Sequence, residues 1–83
     1  MEKRLGFIGI ILENRKASAE IVNKTLSEFG DSIIARTGIP YQKKNCCVIT
    51  LVVDMTTDEL GVLTGRLGMI KGVTVKSALS KGK

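Results

Sequence analysis

The stretch from Cys46 to Asp54, Cys-Cys-Val-Ile-Thr-Leu-Val-Val-Asp, constrains the fold more than any other part of the chain. It is rich in β-branched residues, holds no Gly or Pro, and ends on an acid. Such a run reads as a central β-strand. Cys47, Ile49, Leu51 and Val53 alternate onto one face that is wholly apolar. Cys46, Val48, Thr50 and Val52 make a second face that is still fairly apolar. A strand apolar on both sides needs cover on both sides. A chain of 83 residues folds as one domain and buries only about 60% of its unfolded surface. The second cover is therefore expected to come from another copy.

The remaining elements follow in order. Arg4 to Leu12 reads as a first strand, again apolar on both faces, with Gly6 and Gly9 allowing a bulge or a close backbone approach. Glu13-Asn14-Arg15-Lys16 is a polar connection. Ala17 to Phe29 reads as a helix, with Ile21, Val22, Leu26 and Phe29 at helical spacing and Ser18 and Thr25 on the same face. Gly30 is a candidate C-terminal cap. Ser32 to Ile39 reads as an edge strand ended by Pro40. Tyr41 to Asn45 turns the chain into the Cys46 strand as a hairpin. Thr56 with Glu59 three residues later spells a capping box, so a second helix starts there with Leu60, Leu63 and Leu67 as its apolar stripe. Gly61, Gly65 and Gly68 in that helix fit either close packing on its own sheet or a flat surface for another subunit or ligand. Val73 to Leu79 is the last strand, with Val73, Val75 and Leu79 on one face and Thr74, Lys76 and Ala78 on the other.

The order β-α-β-β-α-β with right-handed crossovers gives an α+β, ferredoxin-like sandwich: a four-stranded antiparallel sheet with both helices on one face. The other face is bare. If odd positions point to the helices in the first and third strands, Ile8, Ile10, Val48 and Val52 lie on the bare face and are the candidate oligomer interface.

Composition narrows the function classes. The chain has no histidine, which removes the usual general base and the commonest metal ligand. No acidic pair marks acid–base work, and no phosphate-binding glycine loop is present. Cys46 and Cys47 are adjacent in a strand, point to opposite faces, and read as reduced packing thiols in a reducing, cytoplasmic compartment. No catalytic, metal or cofactor site is expected. The start of the chain does not resemble a signal peptide, and no apolar run is long enough to span a membrane. Net charge is +5, with Lys71, Lys76, Lys81 and Lys83 unaccompanied by acids near the end. A basic tail from about residue 80 fits a solvated terminus better than a phosphate-binding one. RNA-recognition domains share the fold order, but they stack bases on aromatics of the first and third strands. Here only Phe7 is available, so no direct nucleic-acid binding is expected. Acylphosphatase-type hydrolases also share the order, but their glycine-rich loop is missing.

Several pieces carry a family resemblance. They are Gly9-Ile10-Ile11, Ser18, Val22-Asn23, Leu26 before Gly30, Arg36-Thr37-Gly38-Ile39-Pro40-Tyr41, Glu59-Leu60, Leu67-Gly68 and Gly72-Val73-Thr74-Val75-Lys76. Together and in this order they resemble the small stand-alone regulators of the iron-only hydrogenase system, an ACT-like group. The resemblance implies a regulatory module rather than an enzyme. It also implies association through sheet edges or faces, and small-molecule binding near the first strand–helix loop, here Leu12 to Arg15. The glycine of an amino-acid-binding ACT loop is absent. The group is also similar to the regulatory half of the nickel-responsive repressor, but that half's metal-binding histidines have no counterpart here, and neither does the DNA-binding half. The expectation is a homodimer or homotetramer that senses a small effector or docks on a protein partner. Asn14, Arg15, Arg36 and Tyr41 are the candidate ligand-binding residues, polar groups at element ends with two cations suited to anions. Arg36 reads equally well as a charge that protects an edge strand. The alternatives are a structural accessory subunit without ligand and a small acylphosphatase-like hydrolase.

Overall fold

The structure, a computed structural model, describes residues 2–13 and 16–81. Among them the elements are β1 (Arg4–Glu13), α1 (Lys16–Glu28), β2 (Ile33–Tyr41), β3 (Cys46–Met55), α2 (Thr57–Gly68) and β4 (Val73–Leu79), with short 3-10 turns at Gly30–Ser32 and Gln42–Lys44. The four strands form one antiparallel sheet in the order β2-β3-β1-β4. This is the expected ferredoxin-like arrangement.

The alternation of β3 sets the two faces. Ile49, Leu51, Val53 and Met55 are buried, whereas Val48, Thr50, Val52 and Asp54 are exposed. Residues directly opposite in an antiparallel ladder share a face. Ile8 lies opposite Leu51 and Ile10 opposite Ile49, so both turn toward the helices and are fully buried. The expectation that Ile8 and Ile10 belong to the bare face is corrected by this register. Leu5, Phe7, Gly9 and Ile11 take that face instead. Because β1 is apolar at every position but its ends, its own alternation carries no phase, and the pairing with β3 supplies one. Val48 and Val52 stand on the uncovered face as expected.

The core is aliphatic. Val22 and Leu26 of α1 and Leu63 and Leu67 of α2 close over Ile8, Ile10, Leu12 and the buried side of β3. Ile21, expected in the α1 stripe, is exposed; Ser18, Val22, Thr25 and Leu26 make the buried line. Two tethers hold the helices in place. Ser18 Oγ donates to the Lys71 carbonyl at 2.8 Å, joining the start of α1 to the turn before β4. Gly72 makes that turn at φ 80, where other residues would be strained. At the far end of α1, Arg66 Nη1 and Nη2 donate to the two Glu28 oxygens at 2.9 and 3.0 Å, and the guanidinium lies 5.7 Å from the centre of the Phe29 ring. The Arg66 hydrogen bonds hold the Glu28 carboxyl below the usual carboxylate range.

The capping box forms as the sequence predicts. Glu59 N donates to Thr56 Oγ1, and Thr56 N donates to Glu59 Oε1, both at 3.1 Å. The second Glu59 oxygen accepts from Ser32 Oγ at 3.0 Å, which ties the start of α2 to the α1–β2 connection. The end of β2 differs most from expectation. β2 runs through Pro40 to Tyr41, because an edge strand has a free side on which a missing N–H does no harm. β2 also carries a register shift between Ile33 and Ala35, and beyond Ile33 it is exposed along its length. The hairpin to β3 closes with Asn45 at φ 53, a left-handed position that asparagine tolerates.

Two outcomes follow from this packing. Ile8→Ala removes a fully buried side chain and is expected to lower unfolding free energy by about 2–5 kcal/mol in chemical denaturation. Unchanged stability would place Ile8 outside the core. The Glu59 pKa is lowered, first by the Thr56 backbone hydrogen bond and then by Ser32. A depressed carboxylate stabilises the fold above its unfolded pKa and loses that contribution as pH falls through the folded value. The melting temperature is therefore expected to fall as pH drops below the ordinary glutamate range, and Glu59→Gln is expected to be less stable at neutral pH with a shallower acid slope.

Candidate functional site

The uncovered face of the sheet can be written as rows, because the three ladders share one register. Crossing from β2 to β4, the central row is Thr37, Thr50, Gly9 and Lys76. On one side lies the row Ala35, Val52, Phe7 and Ala78. On the other lies Ile39, Val48, Ile11 and Thr74. Tyr41, Cys46 and Glu13 form an outer row at one end, and Asp54 and Leu5 lie at the other. The face is apolar over most of its area: Phe7, Leu5 and Ile39 are each more than half exposed, and Ile11, Val48 and Val52 are exposed beside them. Leu5, Phe7, Ile11 and Ile39 were missed by sequence reasoning. The odd positions of β1 would have marked the first three had its phase been known.

Two shallow grooves cut this face. The larger, about 430 Å³, lies between Leu5, Phe7, Val52, Ala78 and Leu79. The smaller, about 230 Å³, opens at Gly9 between Ile11, Val48, Thr74 and Lys76. The larger carries one hydroxyl residue, Ser80, and the smaller one cation, Lys76, with the Thr74 hydroxyl. Among the described residues no three His, Cys, Asp or Glu side chains cluster to hold a metal ion. Cys46 and Cys47 are free thiols, half-buried, and alternate to opposite faces. No helix among the described residues is long and apolar enough to cross a membrane.

Of the candidate ligand residues, the two that are described, Arg36 and Tyr41, lie on opposite faces of the sheet. Arg36 lies opposite Leu51 on the helix side, where its Nη2 donates to Asn23 Oδ1 of α1. Tyr41 lies opposite Cys46 on the uncovered face. Five positions separate them in one strand, an odd number, so they point to opposite sides. Asn14 and Arg15 lie outside the described residues.

The comparisons agree with this geometry. The model of the TM1266-like family, whose description is "Iron-only hydrogenase system regulator, putative", matches residues 4–77. The structure of the uncharacterized protein TM1266 from Thermotoga maritima is 38% identical, covers 96% of this chain and 100% of its own, and superimposes with a TM-score of 0.94. The ACT domain of the GTP pyrophosphokinase of Chlorobium tepidum is 23% identical, with 92% of this chain and 99% of that one covered at a TM-score of 0.77. The C-terminal domain of MgtC from Mycobacterium tuberculosis is 15% identical, with 96% and 90% covered at 0.74. These last two share the fold alone. No curated protein matches the chain. The register, the pair of helices on one face and the match over residues 4–77 converge, and the chain belongs to the TM1266-like family of iron-only hydrogenase system regulators, built on an ACT-like fold.

Proposed function

We propose that this chain is a non-enzymatic regulatory subunit that works by binding, as a homodimer or homotetramer assembled through its uncovered sheet face. One observation carries the reading: six large apolar side chains, Leu5, Phe7, Ile11, Ile39, Val48 and Val52, stand exposed on one contiguous face. Apolar patches of that extent on small proteins mark interaction sites. A second copy covering the face also supplies the burial that so short a chain lacks. The family description points to an iron-only hydrogenase system as the regulated partner, and the ACT-like fold supports a regulatory part rather than a reaction. The adjacent free thiols fit a reducing compartment such as the cytoplasm.

Effector binding is assigned to the end of the face where Tyr41, Cys46 and Glu13 share a row, with Asn14 and Arg15 following Glu13 in the chain. Arg36 is left to its bond with Asn23. Native mass spectrometry of freshly purified protein tests both parts. A dimer or tetramer carrying reproducible extra mass is expected. A bare oligomer would keep the assembly and remove the effector, leaving a structural accessory subunit. A bare monomer would contradict the reading.

A further inference from the structure

Gly6 and Gly9 both lie in β1, in the middle of the sheet, yet they meet different surroundings. A Cβ on Gly6 would overlap the Ala78 carbonyl oxygen and the Leu79 side chain. The fold of a single chain therefore requires glycine there. A Cβ on Gly9 would meet nothing closer than the Lys76 carbonyl oxygen at 3.9 Å, an ordinary contact. Glycine in a strand interior costs about 0.5–1 kcal/mol relative to alanine. Nothing within one chain offsets that cost at Gly9. What it creates is a hole at the centre of the apolar face, the smaller of the two grooves.

We infer that this hole receives Thr50 of a second copy, packed face to face about a two-fold axis that runs along the strands between β1 and β3. The inference rests on the assembly proposed above and adds its register. An axis in that direction exchanges β1 with β3 and β2 with β4 while keeping each row in place. Thr50, beside Gly9 in the ladder, then faces the partner's Gly9. Val52 faces the partner's Phe7, Val48 faces its Ile11, and Lys76 faces its Thr37. Beside the axis large side chains meet apolar neighbours, the one threonine there meets the one position without a side chain, and at the edges Ile39 faces the partner's Thr74.

Charge selects this axis over its rival. Lys76 is the only charged residue in the three inner rows. A two-fold axis running across the strands through the same central row would instead set Lys76 against Lys76, and like charges in a closed interface are unfavourable. The axis along the strands sets it against a hydroxyl. Aligned sheets pack about 10 Å apart at roughly 30°, so outer pairs drift apart while the Gly9–Thr50 pair beside the axis holds its register. Four strands about 4.8 Å apart and nine residues long at about 3.3 Å each give a face of roughly 570 Å² in projection. Its accessible area is larger because the side chains stand out from it, approaching the about 800 Å² per partner of a stable interface.

Sedimentation velocity on the wild type and two variants tests the arrangement. Gly9→Val places a strand-compatible side chain where the monomer has room, and circular dichroism is expected to show an unchanged fold. It fills the hole, and dimer affinity is expected to fall by at least about tenfold. The exchange variant Gly9→Thr with Thr50→Gly swaps the knob and the hole in both copies and is expected to recover most of the lost affinity. A Gly9→Val protein that dimerises as the wild type does, or a folded exchange variant no tighter than Gly9→Val, overturns the register while leaving the wild-type dimer intact. A monomeric wild type overturns the assembly itself and the register with it.

Discussion

Ten residue pairs join β1 to β3, from Arg4 opposite Met55 to Glu13 opposite Cys46. Nearly everything else in the molecule depends on that ladder. It is the widest contact between elements, and it fixes the phase of a strand whose own sequence leaves its phase open. With Ile8 set opposite Leu51 and Ile10 opposite Ile49, the helix side gains a continuous aliphatic layer, and α1 and α2 have one surface to close over. The same pairing sends Phe7 and Ile11 outward beside Val52 and Val48. A slip of one residue would exchange the two sets, turning Phe7, Gly9 and Ile11 toward the helices and Ile8 and Ile10 to water.

A second property follows from the same ladder. Central strands that are apolar on both sides commit the sheet to being covered twice, and two short helices can cover it once. Three tethers among the described residues serve the first cover: Ser18 to the Lys71 carbonyl, Glu28 to Arg66, and the Glu59 carboxylate shared between Thr56 and Ser32. These three lie on the helix side; on the other face Thr37, Thr50, Thr74 and Lys76 interrupt the apolar inner rows, with Glu13 and Asp54 at the ends. That division suits a regulator. The helix side is a tethered scaffold, and the sheet side is left without cover within one chain.

Much of this was legible in the residues. The alternation in β3 and β4 gave their faces, Thr56 and Glu59 gave the start of α2, and Tyr41 to Asn45 gave the hairpin. β1 was not legible, because Leu5, Phe7 and Ile11 are as apolar as Ile8, Ile10 and Leu12; only the partner strand distinguishes them. In α1, Ile21 looked like core by type, but Ser18, Val22 and Thr25 take the buried line and Ile21 falls one step away. The separation of Arg36 from Tyr41 could have been read from their odd spacing. Ending the strand at Pro40 hid it, although an edge strand tolerates proline. The significance of Gly9 needed the ladder register, since no local signal separates it from Gly6.

The central claim is that the sheet face bearing Phe7, Ile11, Val48 and Val52 is covered in the working protein. Paramagnetic relaxation of methyl resonances by an inert soluble agent tests it most directly. The account predicts that the methyls of Ile11, Val48 and Val52 are as protected as those of Leu51 and Leu63 in the helix-side core, while the Ile21 methyls on the outer side of α1 are strongly relaxed. Relaxation of the Ile11, Val48 and Val52 methyls equal to that of Ile21 would mean the face is open to water, and would contradict the account.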